Sequence, residues 1–152
     1  MSLDQGALIE PLSIAMNAND RAELPDHATV LVLGAGPMGL LCAAMAKATG
    51  AKAVVIVDAQ HDRNTFAVRE RFADSAILID ANLPTPTEAK LKYARDIADF
   101  FRRDFGEPDA VFECTGAENC LQAAIYVSTQ SQVDVKIKKL ISHRLRSPEA
   151  RS

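Results

Sequence analysis

The apolar run Thr29-Val30-Leu31-Val32-Leu33 passes directly into Gly34-Ala35-Gly36-Pro37-Met38-Gly39, and that loop opens an alanine-rich amphipathic stretch. A strand, a tight glycine turn and a helix in this order form a phosphate cradle. The first glycine permits the turn, the second admits a pyrophosphate to the backbone N–H groups, and the third lets the helix pack closely on the strand. Negative charge is then held at a helix N-terminus. Nineteen residues beyond Gly39, where a second apolar run Ala53-Val54-Val55-Ile56-Val57 ends, stands Asp58. A carboxylate there accepts the hydroxyls of an adenosine ribose and repels a ribose 2′-phosphate, which favours NAD over NADP. The motif alone also fits a glycine turn without ligand, and Asp58 alone also fits a helix cap. Arg63, five residues on, reads either as a solvated charge or as a guanidinium across the adenine edge.

Apolar strand runs alternate with helical periodicity along the rest of the chain, the pattern of a parallel sheet with helices on both faces. The expected fold is α/β, a Rossmann-like doubly wound sheet. A helix is expected from Met38 to Thr49 with Ala43, Ala44 and Ala46 toward the sheet and Gly50 as its left-handed stop. Strand two is expected at Ala53 to Val57, a helix at about Arg63 to Phe72, and strand three at Ala76-Ile77-Leu78-Ile79. Thr85-Pro86-Thr87-Glu88 supplies a capping box with proline at the first helical position. The helix it opens carries Leu91, Ala94, Ile97, Phe101 and Phe105 on one face. Strand four is expected at Asp109 to Glu113 and a last amphipathic helix at Glu118 to Tyr126. Ligands of such sheets sit beyond the carboxyl ends of the strands at the switch point. Cys114, Thr115 and Gly116 are therefore expected to line the crevice beside Gly34, Gly36, Pro37, Met38 and Gly39. Thr115 and Gly116 also fit a plain turn and cap, and Cys114 a small packed hydrophobe.

Composition narrows the function classes. The 152 residues are 48% hydrophobic and 24% charged, with 17 basic against 20 acidic residues and a net charge of -3. One soluble domain with a modest core is expected. With 5% aromatic residues and no basic stripe, nucleic acid is not an expected partner. No apolar stretch reaches membrane-spanning length and the N-terminus lacks a signal pattern, so a cytoplasmic protein without membrane contact is expected. Cys42, Cys114 and Cys120 form no C-x-x-C pair and read as reduced thiols; His27, His61 and His143 lack partners at ligand spacing, so no metal site is expected.

Several segments together carry a resemblance. Gly6-Ala7-Leu8-Ile9-Glu10-Pro11-Leu12-Ser13, the glycine loop, Asp58 with Arg63, Phe112-Glu113-Cys114-Thr115-Gly116-Ala117-Glu118 and Gln122-Ala123-Ala124-Ile125-Tyr126 resemble the medium-chain zinc-dependent alcohol dehydrogenase superfamily. Within it the likeness is to the sorbitol, xylitol and arabinitol dehydrogenases, particularly the fungal kind. The resemblance implies oxidation of a secondary alcohol of a small polyol to a ketone, with zinc polarising the alkoxide and hydride passing to NAD. By resemblance, Glu10 corresponds to a glutamate near the catalytic zinc and substrate. Pro37 and Met38 correspond to cofactor-loop contacts, and Asp58 and Arg63 to adenosine-ribose contacts. Read without the family, Glu10 is an acid at a helix start, favourable to the helix dipole.

The departures from the family shape the expectation equally. Its zinc ligands, a cysteine and a His-Glu pair, belong to a catalytic domain that this sequence does not include. The likeness also jumps at Ser128-Thr129-Gln130-Ser131 to Val133 through Leu145, which leaves about four strands, without the nicotinamide contacts or the edge that pairs subunits in the family's homo-oligomers. The expected organisation is a boundary helix over 1–27, an incomplete NAD-binding domain over 28–130, and over 131–152 a strand-like remnant of the segment returning to the catalytic domain, where lysines at Lys136, Lys138 and Lys139 protect an edge. The chain alone is expected to bind NAD without turnover. Two alternatives stand beside this: a non-catalytic nucleotide-binding remnant or truncated gene product, and an S-adenosylmethionine-dependent methyltransferase with a similar glycine loop.

Overall fold

The computed structural model describes residues 2–80 and 87–129. Their elements run α1 (Leu3–Ala7), α2 (Ile9–Ala22), β1 (Thr29–Leu33), α3 (Pro37–Ala48), β2 (Ala53–Asp58), α4 (His61–Arg69), β3 (Ser75–Leu78), α5 (Thr87–Phe105), β4 (Ala110–Glu113) and α6 (Glu118–Thr129). The strands form one parallel four-stranded sheet in the order β3-β2-β1-β4. The expected Rossmann-like α/β architecture is therefore present.

Uninterrupted apolar strands follow from burial on both faces. Val30 and Val32 of β1 point into a core shared with Ala15 and Ala18 of α2, Ala43 and Ala46 of α3 and Ala67 of α4. Leu31 and Leu33 point the other way, against Ala94, Ile97 and Phe101 of α5 and Ala123, Ala124 and Val127 of α6. Small residues on α2 and α3 let those helices approach the sheet, while the larger side chains fill the opposite face. Chain order reverses beside β1, with β2 on one side and β4 on the other. Leu33 lies opposite both Val57 and Glu113, so the ends of β1, β2 and β4 open onto one edge.

Boundaries shift from the sequence reading where local chemistry overrides periodicity. The boundary helix is two helices joined at Leu8, whose N–H donates to Gln5 and whose carbonyl accepts from Leu12. Pro11 sits in the first turn of α2, where its missing N–H costs nothing. Helix α4 begins at His61 and stops at Arg69, short of Phe72. Arg71 takes a left-handed φ of 63°, and Phe72 folds back so that its N–H reaches the Ala67 carbonyl at 2.8 Å and its ring stacks on Phe66. Helix α6 continues to Thr129 because Val127 is fully buried under it. Ala44 and Leu91 are less buried than expected: Ala44 is half-buried and Leu91 exposed. Gly50 holds the expected left-handed stop at φ 94°. The start of the Thr85 to Glu88 box, the strand-like Lys136 to Ile141 segment and the rest of 131–152 lie outside the described residues. No helix among the described residues is long and apolar enough to cross a membrane.

Candidate cofactor-binding site

The three glycines of the loop have three different physical reasons. Gly34 has φ 101°, and its N–H donates to the Val57 carbonyl at 2.7 Å, turning the chain sharply off β1. A Cβ there would lie 2.8 Å from the Thr115 methyl and 3.3 Å from the Cys114 carbonyl carbon. A Cβ on Gly39 would fall 1.8 Å from the Gly34 carbonyl oxygen, so only glycine allows α3 to press on the turn. Gly36 is the N-cap of α3 in extended conformation, and no side chain caps that helix end. A Cβ on Gly36 would meet nothing within 4 Å. Its reason lies in open space, in front of a twelve-residue helix that begins with proline and favours negative charge.

Asp58 closes the loop from the side. Its Oδ2 accepts the Ala35 N–H at 2.8 Å and its Oδ1 the Gln60 N–H at 2.8 Å. Its side chain keeps 11% exposure, and Arg63 Nη1 lies 4.0 Å from Oδ2. Since a carboxylate offers about four lone-pair positions, two remain for hydroxyl donors. Below it, the Asn64 amide donates to the Asp58 and Ile77 carbonyls at 3.0 and 3.1 Å. This fixes the start of α4, and with it the base of the Arg63 side chain.

Beyond β1 on the other side, Thr115 stands exposed over Gly34. Its hydroxyl accepts the Ala117 N–H at 3.0 Å, the plain turn-and-cap reading. The same geometry also puts Thr115 and Gly116 at the crevice. Gly116 has φ 68°, a conformation that favours glycine. Cys114 turns away from this edge into the core beside Cys42. Its hydrogen bond with Cys42 and its burial push its thiol far above the usual thiol range. Pro37 is exposed at the first position of α3 and Met38 packs against the core. Met38 joins Ile14, Ala18, Cys42, Phe112, Glu113 and Cys114 around a small, partly enclosed cavity between α2, α3 and β4. Glu10 is exposed in the first turn of α2, one helical turn before Ile14.

Sequence reasoning passed over one residue of this region. Glu113 is 0% exposed, and its carboxylate accepts both N–H groups of the Thr115-Gly116 turn. Its signal in the sequence is an acid that ends an apolar strand two residues before Thr115-Gly116, within the Phe112 to Glu118 segment that carries the resemblance.

The residues present fit a dinucleotide: an open helix N-terminus at Gly36, and Asp58 beside it with acceptor positions to spare. They do not fit a catalytic zinc, since among the described residues no three His, Cys, Asp or Glu side chains are grouped to hold a metal ion.

The four-stranded parallel α/β fold is shared with solved dehydrogenase structures, and the chain's sequence similarities are to polyol dehydrogenases and reductases. It is 36% identical over 129 residues to D-xylulose reductase of Saccharomyces cerevisiae, covering 84% of this chain and 33% of that protein. It is 36% identical over 128 residues to sorbitol dehydrogenase of Gallus gallus, with the same coverage of 84% and 33%. Among solved structures, 2R,3R-butanediol dehydrogenase of Bacillus subtilis matches at a TM-score of 0.59 and 32% identity, covering 82% of this chain and 32% of that one. No family model matches the chain. The chain thus corresponds to a third of the length of its polyol dehydrogenase relatives, and its sequence resemblance to that group holds over most of its residues.

Proposed function

We propose that this chain supplies the NAD-binding part of a zinc-dependent polyol dehydrogenase, which oxidises a secondary alcohol to a ketone. The observation that carries the reading is the open space in front of Gly36, set beside an aspartate that is tied to the same loop through Ala35. NAD, when bound, accepts the hydride. The chain's own residues do the holding. Gly34 and Gly39 keep the turn tight, the N-terminal turn of α3 from Gly36 through Pro37 and Met38 faces the pyrophosphate, and Asp58 takes the ribose hydroxyls while its charge disfavours a 2′-phosphate. Arg63 flanks the adenine side, Thr115 and Gly116 wall the opposite side, and Cys114 supports that wall from within. Glu10 is assigned by resemblance to the substrate side. A small polyol is the substrate class of the assembled enzyme, and the described residues alone do not turn it over. All three cysteines are free, which suits a reducing cytoplasm.

Titration calorimetry with NAD, NADP and S-adenosylmethionine tests the reading. NAD binding that exceeds NADP binding, and that falls about tenfold in Asp58→Ala, is expected. Binding of S-adenosylmethionine in place of NAD, or an Asp58→Ala variant that binds NAD unchanged, would overturn it. Zinc-dependent NAD reduction with sorbitol or xylitol by the pure chain would overturn the assignment of turnover to residues outside those described.

A further inference from the structure

Glu113 is a buried acid at the end of β4 whose hydrogen bonds all run to the turn that follows it. Oε1 accepts the Thr115 N–H at 2.8 Å, the Gly116 N–H at 3.1 Å and the Thr115 hydroxyl. Oε2 accepts the Gly116 N–H at 3.3 Å. Burying a carboxylate is costly unless such donors compensate it, and a neutral residue would cap an ordinary turn at lower cost. What these bonds fix is the place of Thr115. Its methyl group sits where a Cβ on Gly34 would be 2.8 Å away, while the Cys114 N–H is held by the Leu33 carbonyl at 2.8 Å. The turn after β4 and the turn after β1 are thereby locked against each other.

We propose that Glu113 is a positioning residue for the cofactor, acting through Thr115 and Gly116 on the half of the dinucleotide that lies beyond the pyrophosphate. The proposal rests on the NAD reading above. Topology supplies the direction: Asp58 ends β2 on one side of β1 and Glu113 ends β4 on the other. A dinucleotide with its ribose on Asp58 and its pyrophosphate before Gly36 therefore extends its second nucleoside toward the turn that Glu113 holds.

The test compares NAD with AMP, which carries only the adenosine half, on the full chain and on Glu113→Gln. The amide keeps the size and one acceptor oxygen, but turns an NH2 group toward the Gly116 N–H and shifts the turn. NAD affinity is expected to fall about tenfold while AMP affinity stays within about twofold, because displacement of a positioning group is felt only by the part of the ligand it touches. Equal loss for both ligands would mark Glu113 as a structural residue only, and no loss for either would leave it without a role; each overturns the proposal. Should Glu113→Gln not fold, Thr115→Val decides. It keeps the methyl against Gly34 and removes the hydroxyl that Glu113 accepts, and about a threefold loss confined to NAD is expected; unchanged NAD affinity would overturn the proposal. If the unaltered chain binds neither NAD nor AMP, the NAD reading itself falls and this inference with it. Binding of both by the unaltered chain separates the two questions.

Discussion

Two acids end the strands that flank β1, and they are used in opposite ways. Asp58 reaches across to another element, accepting from Ala35 in the glycine loop and from Gln60 at its own helix start, and it keeps 11% exposure. Glu113 turns back on the two residues that follow it and is 0% exposed. The first carboxylate is left with acceptor capacity facing solvent; the second is shut off from solvent and takes its donors from the turn that follows it. Position at a strand end therefore does not define a ligand contact. On the proposed reading, residual exposure and free lone pairs mark the acid that meets the ligand, and the two acids beside β1 divide into a binding and a supporting one.

The largest effect expected on this contrast comes from Gly39→Ala. A methyl group 1.8 Å from the Gly34 carbonyl oxygen meets backbone, which cannot rotate away as a side chain would. Helix α3 must move off the turn, at about 3 kcal/mol, the upper part of the range for overpacked sites. Denaturant unfolding measures it, and a loss well below that would mean that α3 is less firmly seated than the contact implies. Next comes Glu113→Ala, which leaves the Thr115 and Gly116 N–H groups without their acceptor and opens a void beside the small cavity lined by Met38 and Cys42. About 2 kcal/mol is expected. Asp58→Ala removes two backbone acceptor contacts at a partly solvated site where water replaces them, so about 1 kcal/mol is expected. The order Glu113 above Asp58 in stability, reversed in adenosine affinity, is what the comparison requires; the same order in both would dissolve it.

The glycine loop and Asp58 were the more legible in the sequence because their spacing rules are local. Gly34, Gly36 and Gly39 are spaced by the geometry of one turn, and the Asp58 spacing by one strand and helix, so counting residues was enough. The alternation of β1 to β4 with helices was equally plain, since strands buried on both faces read as unbroken apolar runs. Helix ends were not. The stop of α4 at Arg69 depends on Arg71 in a left-handed conformation and on Phe72 stacking back on Phe66, a contact that periodicity does not encode. The break at Leu8 was hidden for the same reason. Glu113 was hidden because its role depends on burial. In sequence it is one more acid after an apolar run, and only the packing around the end of β4 removes it from water.

The smallest structural effect is expected at Gly36, and it is the sharpest test of the division. Gly36 has φ -76° and ψ 179°, ordinary extended backbone for any residue, and an added Cβ meets nothing within 4 Å. Gly36→Ala is therefore expected to cost only about 0.5 kcal/mol, the preference of an N-cap for glycine over alanine, with no steric clash added. The same methyl group projects into the space in front of α3, where the pyrophosphate must come close to the backbone. NAD affinity is expected to fall at least about tenfold, with the unfolding midpoint only slightly lowered. Gly39→Ala damages the site by disturbing the fold, and Gly36→Ala should damage it with the fold intact. If Gly36→Ala binds NAD as well as the unaltered chain does, the open space before α3 is not a phosphate site, and Asp58 must be read as Glu113 is, as support for a turn.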